Sequence, residues 1–394
     1  MARLFARGLS LVLAGLTACS APGQPQPAAP ATAAAPAPIA SNRPVPPPRV
    51  DSPAKAEPAR PSPTRPAQLW PFTRLRGVDY VSLREVAVRF KLKVNLARLA
   101  GVMTLSDARG VRLTCESNQT DIYFDGLRVF LGEPVLFDQG SLWVSKLDLI
   151  KVVVPLLFPE DHLSQLPANA PKVIVLDPGH GGIDPGKENR LLGVNEKTFT
   201  LDVALRLKKI LEAFGWKVLL TRSGDRELSP IKKKDLQMRD DVANNNHADL
   251  FLSIHFNAVE KNAERVTGVE TYTMAPQFMF SAAEGKKDEM TDTAFPGNKL
   301  DYANLLFGEQ IHRAMITRLK TPDRGFKRGR LAVLRFVECP GALVECAYLS
   351  NLAEARQVAS PEYRQRIAEA IARGVQDYAG TLAALRVSPA PPTP

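Results

Sequence analysis

At 394 residues the chain has room for two domains with a leader and a linker, and 45% hydrophobic residues are enough to build real cores. The net charge of +10 suits an anionic polymer or lipid surface, with nucleic acid the other partner class that such a charge allows. One of the four cysteines is Cys19, and if it is modified the odd remainder, Cys115, Cys339 and Cys346, excludes a fully paired monomer.

Residues 1–18 open with the basic stretch Met1–Arg7, continue in the apolar run Gly8–Leu16 and end in small residues. That run is too short to span a bilayer as a mature helix and reads as a secretory signal. Its ending, Leu16-Thr17-Ala18-Cys19, resembles a bacterial lipobox. Cleavage before Cys19 leaves that cysteine to be acylated and anchors the chain to a membrane, whereas ordinary cleavage near Ala18 leaves no lipid. Ser20 is not an Asp-type retention signal, so in a two-membrane cell the expected destination is the periplasmic face of the outer membrane. An exported chain seldom meets nucleic acid; no nucleic-acid partner is expected, and Lys232-Lys233-Lys234 is read as a solvated loop.

Residues 19–69 hold nearly half of the chain's 33 prolines among alanine and serine. Such a stretch cannot bury enough apolar surface to fold and is expected to be a disordered linker. At about 3.1 Å per residue in polyproline conformation it reaches on the order of 100 Å, although an unselected spacer reads the same way. From 70 to 158 the composition turns globular. Tyr80-Val-Ser-Leu-Arg-Glu-Val-Ala-Val-Arg-Phe90 reads as a strand entering an amphipathic helix, and Leu142-Trp-Val-Ser-Lys-Leu-Asp-Leu-Ile-Lys-Val152 repeats the pattern. The prediction is a small α+β domain without a metal cluster, serving to bind, to position or simply to space.

Residues 172–382 alternate strand and helix. Val173-Ile-Val-Leu-Asp-Pro-Gly-His180 is a buried-type strand that stops at Asp177-Pro178-Gly179, leaving His180 at the strand end. Asn195 caps a helix whose first turn carries Glu196 and whose stop is Gly215, with Phe199, Val203, Leu207 and Leu211 at helical spacing. Lys217–Arg222 follows as a strand, Asp235–His247 as a helix, and Leu250–Asn257 as a second buried strand with His255 near its end. Pro276–Lys299 is irregular, a helix begins near Tyr302, and Ser360-Pro361-Glu362 opens the last helix, with a disordered tail at 383–394. The alternation predicts an α/β fold, a mostly parallel twisted sheet flanked by helices.

Two histidines and one carboxylate at element ends, His180, His255 and Glu196, have the composition of an open zinc site. Each alone fits a plainer role: a turn histidine, a core histidine, a glutamate favoured by the helix dipole. Glu345 is different, because Pro340-Gly-Ala-Leu-Val-Glu345-Cys-Ala-Tyr-Leu-Ser-Asn351 sets a carboxylate inside an apolar strand. Burying an unpaired carboxylate is costly, so such a residue is paired, beside a metal, or catalytic. Cys346, next along the strand, points to the opposite face as core filling; a Cys339–Cys346 bridge is the other option.

Asp-Pro-Gly-His-Gly-Gly-x-Asp-Pro-Gly at 177–186, the helix-opening Glu196, Ala248-Asp-x-Phe-x-Ser-Ile-His-x-Asn-Ala258 and Leu343-Val-Glu-x-x-x-Leu-Ser-Asn351 together resemble the zinc-dependent N-acetylmuramoyl-L-alanine amidases of the Amidase 3 family, over roughly residues 172–382. The resemblance implies one Zn²⁺ held by His180, Glu196 and His255, Glu345 as catalytic acid–base, and cleavage of the muramoyl–L-alanine amide of peptidoglycan. It also implies substrate contacts at Asn257, Arg222 and Arg239, with salt bridging the alternative for the arginines. Some members carry an inserted helix over the zinc that a partner removes, so Pro276, Phe278, Phe280 and Lys299 mark a candidate lid for an activator protein; a surface loop is the alternative. Residues 70–158 resemble the small module at the N-terminus of copper amine oxidases and beside many wall hydrolases. Two other functions remain open: a catalytically silent peptidoglycan-binding or regulatory protein, and a zinc peptidase acting within the stem peptide, since the same residues serve any amide.

Overall fold

The computed structural model describes residues 70–282 and 288–387, so the leader, Cys19, the 19–69 linker and the last seven residues lie outside the described residues. The N-terminal module begins with β1 (Thr73–Leu75) and β2 (Val78–Ser82), which runs into α1 (Leu83–Arg89) with the Ser82 hydroxyl accepting from the Arg84 amide. A meander follows: β3 (Lys93–Ala97), β4 (Val102–Asp107), β5 (Gly110–Glu116), β6 (Asp121–Phe124) and β7 (Leu127–Phe130). Then β8 (Leu136–Asp138) and β9 (Ser141–Ser145) lead into α2 (Lys146–Asp148) and α3 (Val154–Leu157), joined by a π-helical turn. The two strand-into-helix repeats of the sequence lie side by side, because β2 pairs antiparallel with β9.

The second half holds β10 (Val173–Pro178), the short hairpin β11 (Glu188–Asn189) and β12 (Val194–Asn195), α4 (Glu196–Ala213), β13 (Lys217–Leu220), α5 (Lys232–Asn245) and β14 (Leu250–Asn257). After these come β15 (Val269–Met274), α6 (Asp301–Leu319), β16 (Asp323–Gly329), β17 (Gly341–Tyr348), α7 (Leu352–Ala359) and α8 (Pro361–Val387). Its strands run in the order β13-β10-β14-β17-β15-β16. Every neighbouring pair is parallel except β15 against β17, so the sheet is mixed but mostly parallel. Helices α4, α6 and α8 cover one face in a large apolar cluster, and α5 with the segment around Val333–Val337 covers part of the other.

Two sequence readings change, and a third is decided between its two options. The triple lysine is the first turn of α5, not a loop. The expected tail from 383 is helical to Val387, because Leu382 is buried and the Arg386 guanidinium reaches the carbonyls of Pro167 and Asn169. Cys115, Cys339 and Cys346 are free thiols. A Cys339–Cys346 bridge does not form because the two sulfurs pack into apolar clusters on opposite faces of the sheet.

The module is not separate from the rest: β7 lies parallel to β16 at Val129–Phe326, giving one eleven-stranded sheet. The junction is tied by the Arg128 amide on Asp323 Oδ2 (3.0 Å) and by Arg313 on the carbonyls of Phe124 and Asp125. Gly325, at φ +103°, lies so close to Phe130 that a Cβ would come within 2.4 Å of the ring.

On α5, Asp240 is buried with neither carboxylate oxygen hydrogen-bonded. Burial, then the charges of Asp177 and Asp241, push its carboxyl up to about 8. The group is therefore neutral in the fold up to that pH, whereas in the unfolded chain it ionises near pH 4. Stability is lost as the pH rises from about 4 through about 8. Asp240→Asn removes that loss: thermal unfolding should show the variant's advantage over the parent to be larger at pH 9 than at pH 5 by roughly 4 kcal/mol. An equal offset at both pH values would contradict the account.

Candidate active site and metal centre

Three elements end at one place because the sheet is parallel there. Strands β10 and β14 are in register at Pro178–Ile254, so the chain leaving β10 turns directly beside His255. His180 takes a left-handed φ of +63°, which swings its ring back toward the sheet. The turn needs glycine on both sides: a Cβ on Gly179 would come within 2.3 Å of the His255 ring, and one on Gly186 within 2.6 Å of Glu196 Oε2. Glu196 begins α4, behind the cap that Asn195 Oδ1 provides to the Thr198 amide.

Glu196 is almost fully buried and shared evenly. His255 Nδ1 lies 2.9 Å from Oε1 and His180 Nε2 lies 3.1 Å from Oε2. The same two oxygens accept backbone N–H groups, Oε1 from Phe256 (3.0 Å) and Oε2 from Lys187 (2.8 Å). One donor atom from each of His180, Glu196 and His255 lies within 4.8 Å of the others, a group able to hold a metal ion. Two imidazole nitrogens and a carboxylate oxygen suit zinc in a site with an open fourth position. Burial opposes ionisation of Glu196, but the two histidines outweigh it and hold its carboxyl well below the usual range. His180 shifts upward, burial being overcome by the Glu196 carboxylate. Its Nδ1 lies 3.0 Å from Asp184 Oδ2, the arrangement by which a carboxylate orients a ligating histidine. Asp184 is itself held by the Gly186 amide and the Lys232 ammonium.

Glu345 is in register with His255 on one side and Glu270 on the other, so all three side chains leave the same face of the sheet. Its Oε2 is buried without a hydrogen-bond partner. Burial, then the charges of Glu196 and Glu270, push its carboxyl well above the usual range. Glu270 is the opposite case. It accepts from the hydroxyls of Tyr272 (2.7 Å) and Tyr348 (2.5 Å), from Arg324 Nε (3.2 Å) and from Lys327 Nζ (3.0 Å). The Asn257 amide turns toward this cluster, 3.4 Å from the Tyr348 hydroxyl.

Arg222 and Arg239 are neither substrate contacts nor surface ion pairs. Both are buried, at 1% and 3% exposure. Arg222 donates to the carbonyls of Pro178, Gly179 and Lys197, and Arg239 to those of Pro178 and His180 and to Asp177 and Asp235. They shape the loop that carries His180.

The lid reading also fails for the described part of Pro276–Lys299. Because β15 runs antiparallel to β17, Glu270 is at the site and Met274 is four residues away, about 13 Å along the strand. The stretch therefore leaves from the end of the sheet opposite Glu345. It is fastened there: Met279 is buried in the module's core, and the buried Arg330 guanidinium donates to the carbonyls of Pro276, Met279 and Thr291. Phe278 and Phe280 line a cavity of about 580 Å³ against Gly132 and Asp148, and Lys299 pairs with Glu338.

Sequence reasoning missed Asp184, Glu270 and Tyr348. Asp184 stood inside the quoted loop, where its spacing of four from His180 was the available signal. For Glu270 the only sign was a second carboxylate in an apolar run, between Val269 and Thr271.

Residues 174–377 match the family described as N-acetylmuramoyl-L-alanine amidase. An uncharacterized cell wall amidase of Bacillus anthracis is 35% identical over 208 residues, which are 52% of this chain and 35% of that protein. The germination-specific N-acetylmuramoyl-L-alanine amidase of Bacillus subtilis is 30% identical over 217 residues, 52% of this chain and 79% of that protein. Among solved structures, the catalytic domain of an N-acetylmuramoyl-L-alanine amidase from Bacillus (Paenibacillus) polymyxa is similar with 30% identity and a TM-score of 0.42, over 52% of this chain and 97% of that one. The chain thus spans about a third of the length of the Bacillus anthracis relative, and the module at 70–158 lies outside the family match.

Asp184→Ala leaves His180 in place but removes the partner of its Nδ1. Zinc affinity, read by competition with a chromophoric chelator, should fall about 10- to 100-fold while the circular dichroism spectrum is unchanged.

Proposed function

The chain belongs to the N-acetylmuramoyl-L-alanine amidase family over residues 174–377, and we propose that it cleaves the amide between the lactyl group of N-acetylmuramic acid and L-alanine in peptidoglycan, releasing stem peptides. The observation that carries this reading is Glu345: a carboxylate oxygen buried without a partner, in register with His255 of the three-donor cluster. A carboxylate oxygen left without a partner on the same face as His255 of the metal-binding group, rather than merely buried, suits a group that moves a proton.

His180, Glu196 and His255 would hold a zinc ion, which would supply Lewis-acid polarisation of the carbonyl and activation of water. The chain's own residues do the rest. Glu345 takes a proton from the attacking water as the new C–O bond forms, then delivers it to the leaving nitrogen as the C–N bond breaks. The products are a lactyl carboxylate and a stem peptide with an L-alanine amino terminus. Burial raises the Glu345 carboxyl and so strengthens its carboxylate as the base of the first transfer. Asp184 holds the His180 ring, and the backbone amides of Lys187 and Phe256 fix the Glu196 carboxylate.

The leader and Cys19 support an exported chain, lipid-anchored at the periplasmic face of the outer membrane, with residues 19–69 as the tether and 70–158 as a positioning domain. The activity then serves wall remodelling, cell separation or recycling.

Mass spectrometry of the soluble products from purified peptidoglycan tests the reaction. The zinc-loaded protein should release free stem peptides beginning with L-alanine, and Glu345→Gln should lower the rate about 10²- to 10⁴-fold. Shortened peptides still on sugar would mean a peptidase, and binding without product would mean a silent wall protein. Separately, Cys19→Ala should move the expressed protein from the membrane fraction to the soluble one; an unchanged distribution would remove the lipid anchor.

A further inference from the structure

The face of the sheet that carries the site does not end at it. Paired residues on neighbouring strands leave the same face, and residues two apart along a strand do so too. From Glu345 the face passes to Glu270 and Tyr272 on β15, and Tyr272 is in register with Lys327 on β16. Phe326, the residue before Lys327, points into the opposite, covered face together with its partner Val129. Arg128 and Phe130, flanking Val129, therefore share the site's face, and Arg128 is in register with Tyr123 on β6. The burial pattern agrees: Leu127, Val129, Ile122 and Phe124 are buried, while Tyr123 is 46% exposed and the Arg128 side chain 33%. The module's sheet thus presents a polar face that is exposed at Tyr123 and Arg128 and continues through half-buried Lys327 and Tyr272 to buried Glu270 beside the site.

That face is arranged for an anion. Arg324 and Lys327 share one carboxylate, Glu270, and Arg128 pairs with Asp121. The cations are held over rings: Arg324 over Tyr348 at 5.3 Å, Lys327 over Phe130 at 5.0 Å, Arg128 over Phe130 at 4.8 Å. Rings beneath cations fix their heads without neutralising them. With strands about 4.8 Å apart, β16 is about 10 Å and β7 about 14 Å from Glu345. An extended chain advances about 3.3 Å per residue, so a peptide whose first residue is at Glu345 places its fourth over β16, beside the Phe130 ring that Lys327 and Arg128 share.

We propose that this face, from Glu270 and Arg324 to Lys327 and Arg128, is the binding track for the stem peptide, whose free carboxylates pair with Arg324, Lys327 and Arg128. The proposal rests on the amidase reading and adds to it: the module is part of the substrate site, and the enzyme prefers longer, acidic peptides. Arginine suits the role because its planar donors match a carboxylate.

The test uses the full zinc-loaded chain on soluble muramoyl-peptides of two and four residues, the longer one with free and with amidated carboxylates. The ratio of kcat/KM, tetrapeptide to dipeptide, should exceed one for the parent. Arg324→Gln or Arg128→Gln should cut it about tenfold through KM, with the amidated substrate showing no such drop. Equal loss on both lengths, an unchanged ratio, or an equal drop on the amidated peptide overturns the proposal. Failure of the parent to cleave any of the three would instead defeat the amidase reading. Calorimetric binding to the full chain then decides the track by itself: the acidic tetrapeptide must bind more tightly than the dipeptide, and equal affinities overturn it.

Discussion

Asp177 and Arg239 form the buried ion pair on which the rest of the site depends. Asp177 is 1% exposed, and its carboxylate accepts from Arg239 Nη1 (2.8 Å), the Thr221 hydroxyl (2.6 Å) and the Ser253 hydroxyl (2.6 Å). Those donors sit on α5, at the end of β13 and on β14. One carboxylate therefore ties β10 to both strand neighbours and to the helix above. Such a pair adds little net stability over apolar residues of the same volume, but losing one partner strands a charge and costs about 3–5 kcal/mol. It is kept for position rather than strength. The loop Pro178–His180 leaves the sheet where Asp177 is clamped, and Arg222 and Arg239 take up the carbonyls of all three of its residues.

With that loop rigid, the left-handed His180 can be tolerated. A non-glycine residue in this region carries strain, which persists only where its surroundings over-determine it. Here the carbonyl of His180 is held by Arg239, its ring by Asp184 and Glu196, and the glycines on either side leave no room for another path. Glu196 then completes the geometry at the start of α4, where its two oxygens are divided between two histidines and two backbone amides. The order of dependence runs from a buried ion pair to a loop, from the loop to a ring, and from the ring to a set of donors that can hold a metal.

The sequence made much of this legible because strand ends leave marks: an apolar run, then Pro-Gly or a polar residue, locates His180 and His255 without knowledge of the partner strands. Glu345 was legible because a charge inside an apolar strand is anomalous by itself. What was hidden depended on direction and pairing. Nothing local in Val269–Met274 shows that it runs against its neighbour β17, yet that reversal puts Glu270 at the site and carries the candidate lid to the far end. Arg222 and Arg239 show the same limit. A basic residue after a strand or on a helix looks exposed, and only the folded chain shows guanidinium groups filling orphan carbonyls. The junction of the two halves was equally unreadable, since its register rests on the single pairing of Val129 with Phe326.

That single pairing has an effect out of proportion to its length. A module joined by a flexible linker could face any direction, and its surface would be independent of the site. A module joined strand to strand inherits the face alternation of its neighbour, because the period of two carries across the junction. The core side of β6 and β7 continues the core side of β16, so the polar side of the module must continue the side that bears Glu345. The ring of Phe130 against Gly325 and the amide of Arg128 on Asp323 hold the register at which this is true. Shifting it by one residue would turn Arg128 inward and Val129 outward, exposing apolar surface and burying a charge. The energetics that keep the junction in register are thus the same that keep Arg128, Phe130 and Tyr123 on the face beside the site.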